Sequence, residues 1–298
     1  MRHIEVIGSG TMGNGIAQVF AQYDYKVSLI DINQNALDKA IATITANLDR
    51  MIAKQTLTEE VKAMALNNIT THTDLSKGVI NADLAIEAVS ERVDIKIKVF
   101  EDLDKHCKPE CILASNTSSI SISMIGAATK RGDKVIGMHF MNPVPVMKLV
   151  EVIRGYLTSD SVAGAINELS VRIGKIPTEV NDYPGFISNR VLIPMINEAI
   201  FALHERVSNV RDIDTVMKFG MNHPMGPLQL ADFIGLDVVL NILYVLYDGF
   251  KNPKYAPCPL LVNMVRAGHL GKKSGHGFYQ YKEGSKDLVV ADAFRRWL

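Results

Sequence analysis

The sequence predicts an α/β protein in which an N-terminal, doubly wound sheet is followed by an all-helical C-terminal domain. Three observations lead to this fold class. Short apolar runs alternate with longer helical patterns through the first half of the chain, as in parallel sheets with crossover helices. A glycine-rich loop follows the first of these runs. From Phe186 onward, β-branched runs become scarce and the pattern is mostly helical.

The predicted strands of the N-terminal half are apolar runs of four to seven residues: Ile4–Ile7, Lys26–Ile30, Ala82–Ala88, Cys111–Ala114, Lys134–Phe140 and Met147–Ile153. The predicted helices of this half are Gly15–Gln22 and Asn35–Met64, the second with a break near Gln55–Thr58. The predicted C-terminal helices are Phe186–His204, which contains Pro194, then Ile213–Phe219, Pro227–Ile234, Leu236–Tyr247 and Pro259–Ala267.

The segment Asn181–Gly185 contains Asn, Asp, Pro and Gly and has no periodicity, which is typical of a linker. We therefore expect the first domain at 1–184 and a mostly helical second domain at 185–298. A length of 298 residues is consistent with two domains.

Composition excludes several classes of protein. With 47% hydrophobic residues the chain can build a core, so it is neither disordered, collagen-like nor a small disulfide scaffold. Lys+Arg 32 balances Asp+Glu 32, so no global field draws the protein to nucleic acid or to an anionic membrane. We expect neither partner.

Cellular location is predicted from the cysteines and from the absence of apolar leaders. The 3 Cys form no paired pattern and are expected to be reduced thiols. The start MRHIEVIGSG is not typical of a signal peptide, and the most apolar segment, Val238–Tyr247, is too short to span a bilayer. We expect a cytoplasmic protein. We also expect no metal, because nothing completes a site with Cys107 and Cys111.

A glycine loop follows the first predicted strand and precedes a helical pattern. Its residues, Gly8-Ser9-Gly10-Thr11-Met12-Gly13, match G-x-G-x-x-G, the fingerprint of Rossmann-type dinucleotide sites. The first glycine permits a tight turn, the second lets the backbone approach a pyrophosphate, and the third allows close packing of helix on strand. The helix N-terminus stabilises the phosphate charge.

The next strand ends at Asp31, about 20 residues further on, as the fingerprint requires. A carboxylate here accepts hydrogen bonds from the adenosine ribose and repels a 2′-phosphate, so NAD is expected rather than NADP. The alternative is a structural glycine turn with Asp31 as an ordinary helix cap.

Small polar residues follow the predicted strand Cys111–Ala114, in the segment Ser115-Asn116-Thr117-Ser118-Ser119. Open α/β sheets bind ligands beyond the carboxyl ends of their strands, so these residues could orient a substrate oxygen. Helix capping is an equally good explanation when the segment is considered alone.

An imidazole and a carboxylate stand symmetrically about Pro145. His139 ends one apolar strand, and Glu151 lies within the next. If the two strands pair antiparallel across Asn142–Pro145, His139 and Glu151 become cross-strand neighbours. A carboxylate beside an imidazole orients the ring and favours its protonated form, as a general base requires. The alternative is a structural core histidine, which the cost of burying an unpaired glutamate makes less attractive.

Taken together, these segments resemble the L-3-hydroxyacyl-CoA dehydrogenase family, especially its short bacterial-type members. The resemblance runs in order from Ile4 to about Tyr281. The matching segments are GSGTMGNGIAQVFA, Asp31, ASNTSSISI, GMHFMNPVPVMKLVEVI, DYPGFISNR, HPMGPLQLADFIGLD and GKKSGHGFYQY. Of these, HFMNPVPVMKLVE and PGFISNR are highly specific, whereas many dehydrogenases share the glycine loop.

The resemblance implies roles for individual positions. His139 matches the catalytic base, Glu151 its partner carboxylate, Ser118 a serine that hydrogen-bonds the substrate, and Asn189 an active-site asparagine. The implied cofactor contacts are the loop Gly8, Ser9, Gly10, Thr11, Met12 and Gly13, together with Asp31, Glu91, Lys96, Asn116, Asn142 and Lys273. Lys54 matches a coenzyme A contact, although Asn47 stands where the family would have a serine.

The implied activity is NAD-dependent interconversion of (S)-3-hydroxyacyl-CoA and 3-ketoacyl-CoA, with 3-hydroxybutyryl-CoA and acetoacetyl-CoA as the expected pair. One alternative is a related dehydrogenase of a free hydroxy or sugar acid, resembling gulonate dehydrogenase and lens lambda-crystallin. Another is a non-enzymatic protein that retains the fold and the cofactor.

A homodimer is expected because the C-terminal segments ISNRVLIPMINEAIFAL and LDVVLNILYVL carry more apolar surface than a small domain can bury. The alternative is that these helices are buried within their own domain.

Overall fold

The computed structural model describes residues 1–282, 284 and 287–295. The chain divides into two compact units, Met1–Tyr183 and Pro184–Leu298. Each unit has its own hydrophobic core of buried aliphatic and aromatic side chains.

An eight-stranded sheet forms the centre of the N-terminal unit. Its strands are β1 His3–Ile7, β2 Lys26–Ile30, β3 Ile69–His72, β4 Leu84–Glu87, β5 Ile112–Ser115, β6 Val135–Phe140, β7 Leu149–Arg154 and β8 Ile176–Asn181. The spatial order is β3-β2-β1-β4-β5-β6-β7-β8. All neighbours are parallel except β6 and β7, which are antiparallel.

The flanking helices of this unit are α1 Thr11–Gln22, α2 Gln34–Ala53, α3 Glu59–Asn67, α4 Leu75–Gly78, α5 Val93–His106, α6 Ile122–Ala127 and α7 Asp160–Arg172. Several begin at side chains that cap free backbone N–H groups, for example Asn33 before α2 and Thr58 before α3. The predicted break in the long helical stretch is confirmed, because α2 ends at Ala53 and α3 begins at Glu59.

Both edge strands lack the apolar signal from which the inner strands were predicted. β3 has the sequence ITTH and β8 has IPTEVN, and most of their side chains are partly or fully exposed. An edge strand forms hydrogen bonds with only one neighbouring strand, and its other edge faces solvent. It therefore needs few apolar residues. Asn181, the first residue of the predicted linker, is the last residue of β8, and the division between the two compact units falls within the linker, after Tyr183.

The C-terminal unit is built mainly of helices: α8 Ser188–His204, α9 Val210–Thr215, α10 Pro227–Ile234, α11 Leu236–Phe250 and α12 Pro259–Arg266. The predicted helix Ile213–Phe219 is instead divided between α9 and a π-helical turn at Val216–Gly220. A short antiparallel pair, β9 Tyr279–Gln280 and β10 Val289–Val290, adds a feature that the all-helical prediction omitted.

A buried carboxylate holds the end of the C-terminal unit against α10. Asp232 is fully buried and accepts hydrogen bonds from Phe278 N at 3.0 Å, Tyr279 N at 2.9 Å and the Tyr281 hydroxyl at 3.1 Å. Burial raises the pKa of Asp232 to about 6, although these donors oppose the shift. The hydrogen bonds satisfy the carboxylate and fix the strand β9 on the helices.

Among the described residues, no single helix is long and apolar enough to cross a membrane. The helices α10 and α11 pass that test of length and composition only as a pair, and the pair is bent by 96°.

Candidate active site

The glycine loop connects β1 to α1, and two of its glycines are required by close backbone contacts. Gly8 has φ +100°, and a Cβ there would lie 2.7 Å from the Ala88 carbonyl oxygen. A Cβ on Gly13 would lie 1.7 Å from the Gly8 carbonyl oxygen. A Cβ on Gly10, in contrast, would meet nothing within 4 Å, so the loop presents bare backbone to open space before the N-terminus of α1. This arrangement fits a pyrophosphate.

The Asp31 carboxylate is tied to this loop. Its Oδ2 accepts hydrogen bonds from Ser9 N at 2.9 Å and from Ser9 Oγ at 2.8 Å, and Oδ1 accepts one from Asn33 N at 3.1 Å. A carboxylate can accept about four hydrogen bonds, so Asp31 can also accept one from a ribose hydroxyl.

A cavity of about 490 Å³ lies beside Asp31. Its lining combines backbone of the glycine loop with apolar side chains and a few polar ones, namely Ile7, Gly8, Gly10, Ile30, Asp31, Ile32, Thr73, Leu75, Ala88, Val89, Ser90, Ile95, Val99 and Asp102. A largely apolar pocket next to a phosphate-binding loop fits the adenosine half of a dinucleotide. Thr11 and Met12 belong to the first turn of α1.

A buried ion pair lies at the carboxyl ends of β4 and β5. Lys96 is 1% exposed, and its Nζ donates to Glu87 Oε1 at 2.6 Å and lies 3.2 Å from Glu91 Oε2. Ser115 Oγ donates to the other oxygen of Glu87 at 2.7 Å. The Lys96 side chain is 1% exposed, whereas that of Glu91 is 38% exposed. Lys96 would therefore influence a bound cofactor through the Glu91 carboxylate.

Glu91 organises the polar segment that follows β5. Its Oε1 accepts hydrogen bonds from Thr117 Oγ1 at 2.6 Å, from Ser118 N at 2.9 Å and from Ser119 N at 3.1 Å. Ser118 Oγ lies 3.2 Å from the same oxygen. Burial opposes ionisation of Glu91, but Lys96 and these donors outweigh it and hold the pKa of Glu91 below its usual value. A fixed negative charge therefore shapes the loop that carries Ser118.

Two asparagines lie close to β6. Asn116 Oδ1 accepts a hydrogen bond from Phe140 N at 2.9 Å, which joins the segment after β5 to the end of β6. Asn142 is exposed in the loop after β6, where the Asn142–Pro143 peptide bond is cis. Both residues therefore follow carboxyl ends of neighbouring strands, where ligands of open α/β sheets bind.

The predicted pairing of His139 with Glu151 is confirmed. β6 and β7 are antiparallel, and His139 is the register partner of Glu151. Nδ1 of His139 lies 2.8 Å from Oε2 of Glu151, and the Glu151 side chain is 2% exposed. The carboxylate therefore holds the imidazole ring in one orientation, with Nε2 as the nitrogen directed away from it.

A cleft of about 370 Å³ separates the end of α2 from the loop between β6 and β7. It is lined by Asn47, Arg50, Met51, Lys54, Pro143, Pro145 and Val146. Asn47 is engaged within the protein, because it donates to Gln18 Oε1 at 3.1 Å and accepts from Arg50. The lysine predicted to contact coenzyme A thus shares the cleft with a second cation.

The remaining predicted residues belong to the C-terminal unit. Asn189 is half-buried in the first turn of α8. Lys273 donates to Asp237 Oδ2 at 2.7 Å. No group of three or more His, Cys, Asp or Glu side chains that could hold a metal ion occurs in the part of the chain that the structure describes.

Comparisons with known proteins match both halves of the chain to one family. Residues 3–183 match the model for the 3-hydroxyacyl-CoA dehydrogenase NAD binding domain, and residues 185–281 match that for the C-terminal domain. The chain belongs to the 3-hydroxyacyl-CoA dehydrogenase family. It is an NAD-dependent dehydrogenase, and its cofactor is NAD.

Its relatives in this dehydrogenase family match nearly end to end. The 3-hydroxybutyryl-CoA dehydrogenase of Bradyrhizobium diazoefficiens is 49% identical over 288 residues, which cover 97% of this chain and 98% of the relative. The human mitochondrial hydroxyacyl-coenzyme A dehydrogenase is 42% identical and covers 95% of this chain, with 92% of its own length matched. The crystal structure of (S)-3-hydroxybutyryl-CoA dehydrogenase from Ralstonia eutropha superposes with a TM-score of 0.93, at 48% identity, covering 95% of this chain and 100% of that one.

Among the polar residues of the candidate site, Glu87 was missed from the sequence, whereas Ser115 and Thr117 were named only as members of the polar segment after the predicted strand Cys111–Ala114. Glu87 was detectable, because it stands in the apolar strand LAIE and a glutamate there needs a buried partner, as was argued for Glu151. Ser115 and Thr117 carried no separate signal, since serine and threonine are common in any segment that precedes a helix.

Proposed function

We propose that the protein interconverts (S)-3-hydroxyacyl-CoA and 3-ketoacyl-CoA, with 3-hydroxybutyryl-CoA and acetoacetyl-CoA as the preferred pair. The observation that carries the chemistry is the 2.8 Å contact between His139 and Glu151 at the ligand-binding edge of an NAD-binding sheet. The names of the relatives support the substrate, since those about 50% identical are 3-hydroxybutyryl-CoA dehydrogenases.

In the proposed mechanism His139 exchanges the proton of the 3-hydroxyl group. With Nδ1 donating to Glu151, Nε2 takes the proton in the direction of oxidation and returns it in the direction of reduction. The carboxylate stabilises the imidazolium that forms. Bound NAD supplies the acceptor for the C3 hydride, or its donor in the reverse direction. A base of this kind contributes about 10²–10⁴-fold to the rate.

Ser118 and Asn189 are proposed to hold the reacting oxygen and the thioester carbonyl. Both are neutral donors and acceptors, so they can orient an oxygen without adding charge. Glu91 supports Ser118, because it accepts hydrogen bonds from both the backbone and the side chain of that serine. Such positioning in a prearranged polar site supplies much of the rate gain of an enzyme.

The cleft between α2 and the β6–β7 loop supports a coenzyme A ester over a free acid. It offers two cations, Arg50 and Lys54, beside an apolar surface of Met51, Pro145 and Val146. Phosphates of coenzyme A would pair with the cations, and the pantetheine chain would lie on the apolar part. The carboxylate of a free hydroxy or sugar acid could pair with one of these cations, but such an acid has no long chain to cover the apolar part of the cleft.

We propose that the C-terminal unit forms a homodimer in the cytoplasm. Large apolar side chains of this unit remain exposed, among them Val191 at 66% and Phe219 at 76%. Exposed apolar surface of this kind is typical of an interface between subunits. A light-scattering mass near 33 kDa at micromolar concentration would overturn the dimer; a mass near twice the 32.8 kDa of the chain is expected.

The activity is tested by following NADH oxidation with acetoacetyl-CoA, longer 3-ketoacyl-CoAs, acetoacetate and the keto form of a sugar acid in parallel. We expect the highest kcat/KM with acetoacetyl-CoA and none measurable with the free acids. Turnover of a free acid without turnover of any coenzyme A ester would replace the proposed function by that of a free-acid dehydrogenase.

A further inference from the structure

A buried lysine that the proposed chemistry does not use lies directly before β8. Lys175 is 7% exposed, and its Nζ donates to two backbone carbonyl oxygens, Val144 O at 2.5 Å and Met147 O at 2.7 Å. Both acceptors belong to the loop 141–148 that connects β6 to β7. Lysines are rarely buried without a partner, and here the partners are main-chain oxygens of one loop.

That loop touches three parts of the candidate active site. It begins after Phe140, the neighbour of His139, and ends before β7, which carries Glu151. Its side chains Pro143, Pro145 and Val146 form one wall of the cleft that faces Arg50 and Lys54. The position of the loop therefore decides the width of the cleft.

The loop also rests on the helix that follows the glycine loop. Val144 is buried against Gly15 of α1, where an added Cβ would lie 2.9 Å from Val144 Cβ. The packing of Val144 on α1 and the hydrogen bonds from Lys175 thus both hold the loop in place. Within the loop, Val146 N and Met147 N both donate to Pro143 O at 3.0 Å.

We propose that Lys175 is a positioning residue for the acyl-CoA substrate: it clamps the β6–β7 loop and thereby sets the shape of the cleft for the coenzyme A moiety. This inference rests on the proposed function. Lys175 does not touch the reacting atoms, so its loss should weaken binding of the nucleotide part of the substrate and leave the chemical step nearly intact. Burial also lowers the pKa of Lys175, so the ammonium is kept in the loop at an energetic cost that the carbonyls offset.

The test compares Lys175→Met with the wild type on two substrates, acetoacetyl-CoA and the truncated thioester acetoacetyl-N-acetylcysteamine. Methionine retains the length and apolar stem but leaves both carbonyls without a donor. We expect KM for acetoacetyl-CoA to rise about tenfold, because small displacements away from the chemistry weaken productive binding. We expect kcat and kcat/KM for the truncated thioester to stay near their wild-type values. Lys175→Arg, which keeps the charge and the donors, should restore most of the affinity.

The control is Arg131→Met. Arg131 likewise donates to backbone carbonyl oxygens, Lys108 O at 2.6 Å and Asp104 O at 2.8 Å, before the amino end of β5 and away from the cleft, and it also forms an ion pair with the Asp104 carboxylate at 2.7 Å. A general loss of stability would affect both variants alike, whereas only Lys175→Met should change KM for acetoacetyl-CoA. If Lys175→Met does not fold, Lys175→Gln, which retains an N–H donor on a shorter side chain, is compared in the same way.

An equal effect of Lys175→Met on both thioesters, or an equal effect of Arg131→Met on KM, would overturn the inference. The inference would also be overturned if Lys175→Met had the same KM for acetoacetyl-CoA as the wild type. If the wild type reduces acetoacetyl-CoA in that experiment, the proposed function would still stand. A wild type that does not reduce acetoacetyl-CoA would overturn both.

Discussion

Nδ1 of His139 lies 2.8 Å from Oε2 of Glu151, and the two residues face each other directly in the antiparallel pair β6–β7. The side chains are 12% and 2% exposed, so water screens the contact weakly. Pairing on two adjacent strands fixes the ring relative to the sheet rather than to a mobile loop. The first two predictions follow from this contact.

Replacement of His139 by glutamine should remove the proton acceptor and leave the cofactor site intact. We expect kcat with acetoacetyl-CoA to fall by about 10²–10⁴-fold, the usual contribution of a general base or acid. The dissociation constant of NADH, measured by fluorescence, should stay nearly the same, because the glycine loop follows β1 and not β6. Wild-type turnover in His139→Gln would mean that His139 is only a structural histidine.

The change Glu151→Gln retains a hydrogen-bond partner for the ring but removes the charge that stabilises the imidazolium. We expect a lower kcat, because the imidazolium that forms in the reaction loses the negative charge that stabilises it. The double variant, His139→Gln with Glu151→Gln, should lower kcat by less than the product of the two single fold-decreases, since the two residues act as a unit. Fully multiplicative losses would exclude a coupled pair.

The sequence made this pair predictable because three signals coincide: an apolar strand on each side, a proline-rich turn between them and a glutamate that needs a buried partner. The same kind of signal located β2 and α10 to the residue, at Lys26–Ile30 and Pro227–Ile234. The edge strands β3 and β8 were not predicted, because pairing with a neighbouring strand, and not apolar periodicity, defines them.

Contacts between distant segments were beyond prediction for a different reason. The five polar contacts of Glu91 Oε1 with residues 117–119, and the hydrogen bonds from Lys175 to the β6–β7 loop, join segments about 26 to 31 positions apart. A single sequence shows that a glutamate or a lysine is present, but the partner is chosen by the order of strands in the sheet. The resemblance to a family supplied Glu91 as a candidate, and only the fold supplied its partners.

Cofactor preference provides the third prediction. Asp31 lines the cavity that fits the adenosine half of a dinucleotide. The next three residues, Ile32, Asn33 and Gln34, include no cation that could pair with a 2′-phosphate. We expect kcat/KM with NADH to exceed that with NADPH by roughly 10²-fold or more, since like charges in contact cost several kcal/mol. Asp31→Ser should lower the ratio of kcat/KM with NADH to kcat/KM with NADPH. Asp38→Ser, which removes an exposed carboxylate of α2 bonded to Gln34, should leave the ratio unchanged. Comparable efficiencies in the wild type would contradict the assignment of Asp31.

The fourth prediction concerns stability and rests on Glu5, in the central strand β1. Glu5 is 2% exposed, and its Oε2 has no hydrogen-bond partner among the described residues. Burial raises the pKa of Glu5 to about 9, and the neighbours Cys111 and Asp83 add to the shift while Lys108 opposes it. At neutral pH the folded protein therefore keeps a proton on Glu5 that the unfolded chain, with an ordinary carboxyl pKa, releases.

Because the folded state binds the extra proton, the contribution of Glu5 to the free energy of unfolding falls as the pH rises from about 4.5 towards 9. Glu5→Met removes both the proton and the unpaired oxygen. The stability of this variant relative to the wild type should therefore increase by about 3 kcal/mol between pH 5 and pH 7, at 1.36 kcal/mol per pH unit. Urea denaturation at a series of pH values measures the difference, and Glu168→Gln, at an exposed position of α7, is the control. A difference between Glu5→Met and the wild type that stays constant from pH 5 to pH 8 would show that Glu5 is ionised in the folded protein.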